Sequence, residues 1–213
     1  MASPFPRALP ALAWANVALH AAGLAIAWFG MRPGAVVTPL AERMAFLAGR
    51  PAAWCLGWGT WMLCSLLLVS FMALLSRSLP GRPAAARLAL IVTSAGMATD
   101  LLCDVVQVQV LPTTALAGQA SLFLAYERFA FIGGVTVANG LYTSGILLMN
   151  SCLKGPARLA GWATAAAGFS LATAGFIPSP ALLQGATGAT MVFYSLWTVL
   201  AARDLAGLGE HGP

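Results

Sequence analysis

Charged residues are scarce in this 213-residue chain, which holds eleven Lys and Arg and only six Asp and Glu. Soluble domains carry about 25% charged residues. This chain carries 8%, and 60% of its residues are hydrophobic, so an ordinary soluble domain is excluded. The net charge of +5 comes from arginines scattered singly between apolar runs. Because no basic patch with interleaved aromatics is present, we expect no nucleic-acid partner.

Histidine and cysteine are also rare, which disfavours haem, zinc and dithiol sites. Only His20 lies in an apolar run, whereas haem ligation by a helical bundle normally needs paired histidines. The four cysteines show no C-x-x-C spacing, so a zinc site and a reactive dithiol gain no support. We therefore expect no cofactor. The only candidates for metal ligands are two aspartates in the third apolar run, Asp100 and Asp104.

Long apolar runs are abundant. Six runs of about 20 residues, the length that crosses about 30 Å of hydrocarbon, are mostly bounded by proline and glycine. They cover residues 9–29, 54–75, 88–110, 129–149, 157–177 and 181–201. The pattern predicts an all-α polytopic membrane protein, a single transmembrane domain over residues 1–213 with six helices in an up-down bundle. The first run exceeds the usual length of a signal-peptide core, so we expect it to be retained.

The basic residues favour one orientation in the membrane. With a cytoplasmic N-terminus, the inner segments hold Arg7, Arg77, Arg82, Arg87, Lys154, Arg158 and Arg203. The outer segments then hold Arg32, Arg43, Arg50 and Arg128. By the positive-inside rule, we predict a multi-pass protein of the plasma or inner membrane, embedded in the lipid bilayer with both termini cytoplasmic.

The first outer loop contains a stretch, residues 38–47, that starts like a capped helix. Its apolar residues Leu40, Met44 and Leu47 recur at helical spacing. We expect this helix to lie flat in the outer interface with those three side chains facing the lipid.

Three tryptophans, Trp54, Trp58 and Trp61, recur at helical spacing at the outer end of the second span. Tryptophan is enriched at both membrane–water interfaces. The pattern is typical of an interfacial aromatic belt that also packs against neighbouring helices.

Two of the six acidic residues, Asp100 and Asp104, lie four residues apart near the middle of the third run. A carboxylate near the bilayer centre costs about 2.5–3.5 kcal/mol even on the gentler insertion scales, and such residues are functional candidates by default. Together with Thr93, Gly96 and Gln107 they fall on one helix face. Because lipid offers no hydrogen-bond partners, this face is expected to point into the bundle. Two carboxylates this close are expected to titrate as a unit.

Other polar residues are candidates to meet this face at a matching depth. His20 is at the middle of the first span, and Asn139 is at the middle of the fourth, with Tyr142 near the same helix face. Glu127 and Arg128 are at the outer end of the fourth span, where Arg128 is either an interfacial anchor or the partner of Asp104. We predict a polar funnel that opens outward. The ion- or substrate-binding candidates are Asp100, Asp104, Gln107, His20, Asn139, Tyr142, Glu127 and Arg128.

Small residues are frequent in the last three spans. Gly168-x-x-x-Ala172 and Gly185-x-x-x-Ala189 have the spacing that lets helix backbones approach closely. We interpret both patterns as packing within the bundle, with homo-oligomerisation as the alternative.

One stretch resembles the latter part of the CDP-alcohol phosphotransferase signature: Ala86-Arg87, eight residues, Gly96, three residues, Asp100, three residues, Asp104. The resemblance implies six membrane spans and aspartates that bind a divalent metal for phosphoryl-group transfer to a lipid alcohol. This chain departs from the signature where the family carries its first two aspartates and a glycine. Those positions hold Leu79, Arg82 and Pro83.

Three functions remain open from the sequence. The leading interpretation is a small proton- or cation-coupled transporter with Asp100 and Asp104 as its binding site, for a small ion or an amphipathic small molecule. The alternatives are a non-catalytic accessory or assembly subunit, held together by the polar face, and a membrane-embedded lipid-modifying enzyme that uses the same pair. The balance favours a protein that is not an enzyme.

Overall fold

A computed structural model describes residues 5–81, 83–177 and 179–207. The α-helices in chain order are α1 (Phe5–Ile26), α2 (Leu40–Gly49), α3 (Pro51–Ser78), α4 (Ala84–Val105), α5 (Leu111–Leu116), α6 (Ala120–Phe131), α7 (Asn139–Asn150), α8 (Gly155–Ala174) and α9 (Pro180–Gly207). π-helical segments at Ala27–Met31, Val106–Val110 and Ile132–Ala138 extend α1, join α4 to α5, and join α6 to α7. The prediction of an all-α membrane bundle is confirmed.

Within the residues that the structure describes, five continuous helical stretches are long and apolar enough to cross a membrane. They are Ala8–Gly34, Pro51–Ser78, Ala84–Leu116, Ala120–Asn150 and Pro180–Leu205. The predicted fifth span corresponds to α8, which is 20 residues long but rich in Ala, Gly, Ser and Thr. Its small side chains are largely buried against neighbouring helices. Because less of α8 needs to face lipid, this helix can be less apolar than the five stretches named above.

Six helices form a closed ring. Contacts between neighbours run from α1 to α3, α3 to α4, α4 to α7, α7 to α8, α8 to α9, and from α9 back to α1. The short connections make successive helices antiparallel, so the start of α1 and the end of α9 lie at the same end of the ring. We call this the terminal end, and the opposite end, which carries α2, the α2 end.

Each end of the ring has its own packed core. At the terminal end the fully buried side chains include Leu9, Phe71, Met72, Met149 and Trp197. A smaller cluster at the α2 end comprises Met31, Leu47, Trp54, Leu111, Ala115 and Phe123. The two clusters leave the space between them, at the middle depth of the ring, for the polar residues described below.

The third span, predicted to end at Val110 just before Pro112, continues as a helix through this proline to Leu116. A proline lacks the N–H and crowds the carbonyl group four residues earlier, which here is that of Val108. The π-helical segment Val106–Val110 precedes the proline, and the Cys55 thiol of α3 donates to the Val108 carbonyl oxygen at 3.4 Å. The helix passes the proline because a neighbouring helix supplies the missing donor.

The expected helix in the first outer loop is present as α2, but the predicted orientation of its apolar side is wrong. Leu47 is fully buried, and Leu40 and Met44 pack against the same cluster at the α2 end. These side chains face the protein because α2 lies over α5 and closes the ring, with its buried Arg43 turned inward.

Only one of the two small-residue patterns packs as predicted. A Cβ atom added to Gly168 would overlap the Thr143 side chain of α7, and Ala172 lies beside Gly140 of the same helix. Gly185 is exposed, and an added Cβ atom there would meet nothing within 4 Å. The first pattern therefore brings α8 close to α7, whereas Gly185 faces away from the bundle.

The α7–α8 contact gives a direct test of the ring. We expect Gly168→Val to lower the free energy of unfolding by about 1–3 kcal/mol, because the added methyl groups overpack the contact with Thr143. Gly185→Val makes the same chemical change on an open surface and should stay within about 0.5 kcal/mol of the parent. Titration of the purified protein with a denaturing detergent measures both values. Equal losses for the two variants would contradict the packing described here.

Candidate functional site

A cavity of about 360 Å³ lies inside the ring, between the two packed cores. Every helix of the ring contributes to its wall, including α8 through Thr164 and Leu171. Its aromatic lining includes Trp54, Trp58, Trp61 and Tyr194. The prediction that the three tryptophans of α3 form an interfacial belt is therefore wrong. They turn inward to the cavity, and Trp54 is almost fully buried.

The structure brings seven of the eight sequence-predicted candidates together around this cavity. They are His20, Asp100, Asp104, Gln107, Glu127, Asn139 and Tyr142. The polar face of the third span points inward as expected, with Thr93, Asp104 and Gln107 all buried. Ligand binding by these residues stays a prediction. Their convergence is explained by the lack of hydrogen-bond partners in lipid, which makes polar side chains turn toward the interior of the bundle.

Asp100 is held by donors from two neighbouring helices. The Ser65 hydroxyl of α3 donates to Asp100 Oδ2 at 2.5 Å, and the Tyr142 hydroxyl of α7 donates to the same oxygen at 3.1 Å. Gly134 lies close by, where an added Cβ atom would come within 3.6 Å of Asp100 Oδ1. Asp100 is thus fixed in place by α3 and α7, with Gly134 close to its second oxygen.

Asp104 has a different environment, although it is one helical turn away. It is only 1% exposed, and its Oδ2 atom has no hydrogen-bond partner among the residues that the structure describes. Gln107, three residues further, is 7% exposed, and its Oε1 atom is likewise unpartnered within those residues. A buried acceptor without a donor costs about 1–3 kcal/mol, and more when it is charged. Such groups call for a bound proton, water or ligand.

Two π-helical segments adjoin the acidic pair, and side chains satisfy their irregular backbone. The Trp54 indole donates to the Gln107 carbonyl oxygen at 2.8 Å, and Asn139 Nδ2 donates to the Gly134 carbonyl oxygen at 2.9 Å. Asn139 was predicted as a partner of the polar face. It lines the cavity, but its observed hydrogen bond lies within its own helix. π-Helical turns are frequent at functional sites, and here they border the most costly buried groups.

His20 closes the side of the cavity formed by α1 and α9. Its Nδ1 atom donates to the Asn16 carbonyl oxygen at 2.9 Å, and its ring lies 5.0 Å from that of Tyr194. The Tyr194 hydroxyl in turn donates to Asn16 Oδ1 at 2.7 Å. One ring nitrogen of His20 is used in this way, and the residue lines the cavity.

Glu127 pairs with a residue that the sequence did not indicate. Arg43 Nη2 of α2 donates to Glu127 Oε2 at 2.8 Å, and Arg43 Nη1 donates to the Thr38 carbonyl oxygen. Both members of the ion pair are more than nine-tenths buried. The pair ties α2 to α6 over the cavity, so the α2 end is covered by a charge-assisted contact as well as by the apolar cluster.

Arg128 does not reach the acidic pair, so of its two predicted roles the partner of Asp104 is ruled out and the interfacial anchor remains. Consecutive residues of a helix point about 100° apart, and with Glu127 turned inward the Arg128 side chain is exposed. It lines a depression on the α2 end instead. The depression shares Val36, Phe131 and Leu183 with the cavity, so these three side chains separate Arg128 at the rim from the carboxylates inside.

Comparisons of the chain with family models, with curated protein sequences and with solved structures give no significant match. The partial resemblance to the CDP-alcohol phosphotransferases therefore gains no support from a family model. The residues also fit its metal centre poorly. Within the described ranges, no group of three or more His, Cys, Asp or Glu side chains is arranged to hold a metal ion.

The buried ion pair gives the second test. We expect Arg43→Met to lower the free energy of unfolding by about 3–5 kcal/mol, because Glu127 would be left buried without its partner. The double variant Arg43→Met, Glu127→Leu should recover most of this loss, since no uncompensated charge remains. Denaturing-detergent titration measures each value.

Arg128→Met is the matched control, because it removes the neighbouring exposed arginine. It should change the unfolding free energy by no more than about 0.5 kcal/mol. A loss of equal size in Arg43→Met and Arg128→Met would show that the pair is not buried as described.

Proposed function

We propose that this protein is a small carrier of the plasma or inner membrane that binds a proton or another cation at Asp100 and Asp104. The observation that carries the proposal is the Asp104 carboxylate, buried in a cavity at the middle of a membrane helix without a partner for one oxygen. In transporters, substrate and coupling-ion sites lie near the bilayer midplane and are typically formed by interrupted helices. Here two π-helical segments border the pair.

The two aspartates are suited to different tasks. Asp100 accepts two hydrogen bonds and is held in one position. Asp104 lacks a donor, and either a proton or a cation supplies what its oxygen lacks. Because both occupants use the same oxygen, they exclude one another, and this exclusion is the basis of coupled exchange.

Other titratable groups line the same cavity, on α4 itself and on the surrounding helices. They are His20 of α1, Cys64 of α3, Cys103 of α4, Glu127 of α6, Tyr142 of α7 and Tyr194 of α9. The one described arginine buried near the cavity, Arg43, is already paired with Glu127. No unpaired arginine among the described residues therefore competes with a positively charged occupant for Asp100 and Asp104.

A carrier must expose its site to each side of the membrane in turn. The terminal end is closed by the large apolar core, whereas the α2 end is closed by α2, the Arg43–Glu127 pair and three side chains shared with the surface depression. The α2 end is the thinner barrier. The π-helical segment Ile132–Ala138, which contains two consecutive glycines, is a point at which α6 can bend relative to α7. We therefore propose that the α2 end opens first.

The charge distribution supports an orientation with the terminal end in the cytoplasm. The segments at that end hold seven basic residues, against four at the α2 end. One of those four, Arg43, is neutralised by Glu127. On this basis the α2 end, and with it the cavity mouth, faces the outside.

The two alternative functions fit the cavity less well. A metal-dependent lipid-modifying enzyme needs more ligands than the described side chains group together. An assembly subunit held by its polar face needs that face to be packed against partners, whereas a space of about 360 Å³ adjoins Asp104 and Gln107. The open volume next to unpartnered acceptors favours binding over purely structural use.

Charge movement on a pH step tests the carrier. Proteoliposomes adsorbed on a solid-supported membrane should give a transient current when the buffer changes from alkaline to acidic, because protons enter the cavity and bind the pair. Asp100→Asn with Asp104→Asn should abolish the current, since the amide side chains take up no proton. Asp204→Asn, which removes an exposed carboxylate at the end of α9, should leave it unchanged.

Asp104→Glu guards against a trivial loss of folding, because it keeps an ionisable group and should keep a current. A folded parent protein without any charge movement would overturn the carrier proposal. A current that survives the double Asn substitution would assign the proton uptake to other groups and would remove Asp100 and Asp104 from the site.

A further inference from the structure

We propose that the occupant of the cavity is a small organic ammonium ion that carries N–H donors, with its charged group at Asp104 and Gln107 and its apolar body among the tryptophans of α3. The inference rests on the proposed function and names the class of molecule that this site takes. It follows from the hydrogen-bond demand, the charge, the size and the lining of the cavity.

The unpartnered polar atoms beside the acidic pair are acceptors, so a ligand must supply hydrogen-bond donors. Asp104 Oδ2 and Gln107 Oε1 are both acceptors, both belong to side chains more than nine-tenths buried, and both lack a donor within the described residues. They are three residues apart on one helix and line the same cavity. A primary or secondary ammonium group has two or three N–H donors and so can serve both oxygens at once. A quaternary ammonium group has the same charge but no N–H to donate.

The charge of the cavity points the same way. Two aspartates lie on its α4 wall, and Arg43 is committed to Glu127 by a 2.8 Å contact. The donors that do reach the pair, Ser65 and Tyr142, are neutral hydroxyls and both go to Asp100. A cationic donor at Asp104 forms a charge-assisted hydrogen bond, which is about twice as strong as a neutral one.

The size and lining exclude a bare ion as the best-fitting occupant. Pockets for small organic ligands start at about 300 Å³ and are mostly apolar with a few placed polar groups. This cavity, of about 360 Å³, matches that description, whereas a single ion would leave most of it empty. Hard cations such as Ca²⁺ also need six or more oxygen ligands, and no such cluster of acidic groups is present in the described part of the chain.

The α3 wall is built for an apolar body next to a positive charge. Trp54, Trp58 and Trp61 recur along one side of the cavity, and the face of an indole ring attracts a nearby cation electrostatically. The Trp58 indole N–H is itself buried and unpartnered within the described residues. It suits a ligand whose body carries one acceptor, such as a hydroxyl or carbonyl oxygen, at a distance from the ammonium group.

Three probes that share one benzyl group separate charge from N–H donation. Benzylammonium has both, benzyltrimethylammonium has charge alone, and benzyl alcohol has neither charge nor N–H. Binding to the purified full chain in detergent is followed by tryptophan fluorescence and by the shift in melting temperature. We expect benzylammonium to quench the fluorescence and raise the melting temperature, and to bind at least about tenfold more tightly than the other two.

Variants tie the binding to the assigned atoms. Asp104→Asn should weaken benzylammonium at least about tenfold, and Gln107→Leu should weaken it by a smaller factor, because one neutral acceptor is lost. Asp204→Asn should bind as the parent does. If Asp104→Asn fails to fold, Gln107→Leu and the comparison of the three probes on the parent protein still decide the question.

Equal affinity for benzylammonium and benzyltrimethylammonium, or for benzylammonium and benzyl alcohol, would overturn the inference. So would an absence of any benzylammonium binding to the folded parent. The result is distinguishable from that of the pH-step experiment. A proton current without amine binding would leave the carrier in place and remove this ligand class, whereas amine binding without any charge movement would keep the site and remove the carrier.

Discussion

The structure depends on one constraint, that a polar side chain in hydrocarbon has no partner unless another helix supplies it. The polar face of α4 obeys this constraint in two ways. Asp100 accepts hydrogen bonds from hydroxyl groups of α3 and α7, and Asp104 lines the cavity. The closed ring of six helices is the arrangement that makes both outcomes available, because it encloses an interior that the lipid does not reach.

The division of the interior into two packed cores with a polar layer between them gives this small protein a site at mid-depth. The large core at the terminal end fixes the floor, and the smaller cluster beneath α2 forms a partial cover. The Arg43–Glu127 pair couples the cover to the wall of the cavity. Breaking a buried charge pair leaves an uncompensated charge, so the Arg43–Glu127 contact opposes separation of α2 from α6.

The sequence was sufficient for the fold class and for the inward direction of the α4 face, because hydropathy and the cost of buried charge determine both. The sequence was insufficient where one residue pattern is compatible with two different surroundings of a side chain. The apolar side of α2 fits lipid and protein equally well, and so Arg43 was overlooked as the partner of Glu127. Glu127 and Arg128 are adjacent, and only three-dimensional packing decides which of them turns inward. Pro112 was interpreted as a helix end because the π-helical turn that accommodates it has no sequence signature of its own.

The contact between α1 and α9 has a consequence for biogenesis. During synthesis the first five ring helices form an open palisade, and its gap exposes the flank of His20 and the carboxylates to acyl chains until the last helix docks. The cavity is therefore sealed only when α9 docks, after the other five ring helices have been synthesised. Truncations before α9 should consequently be targets for membrane quality control rather than partially active proteins.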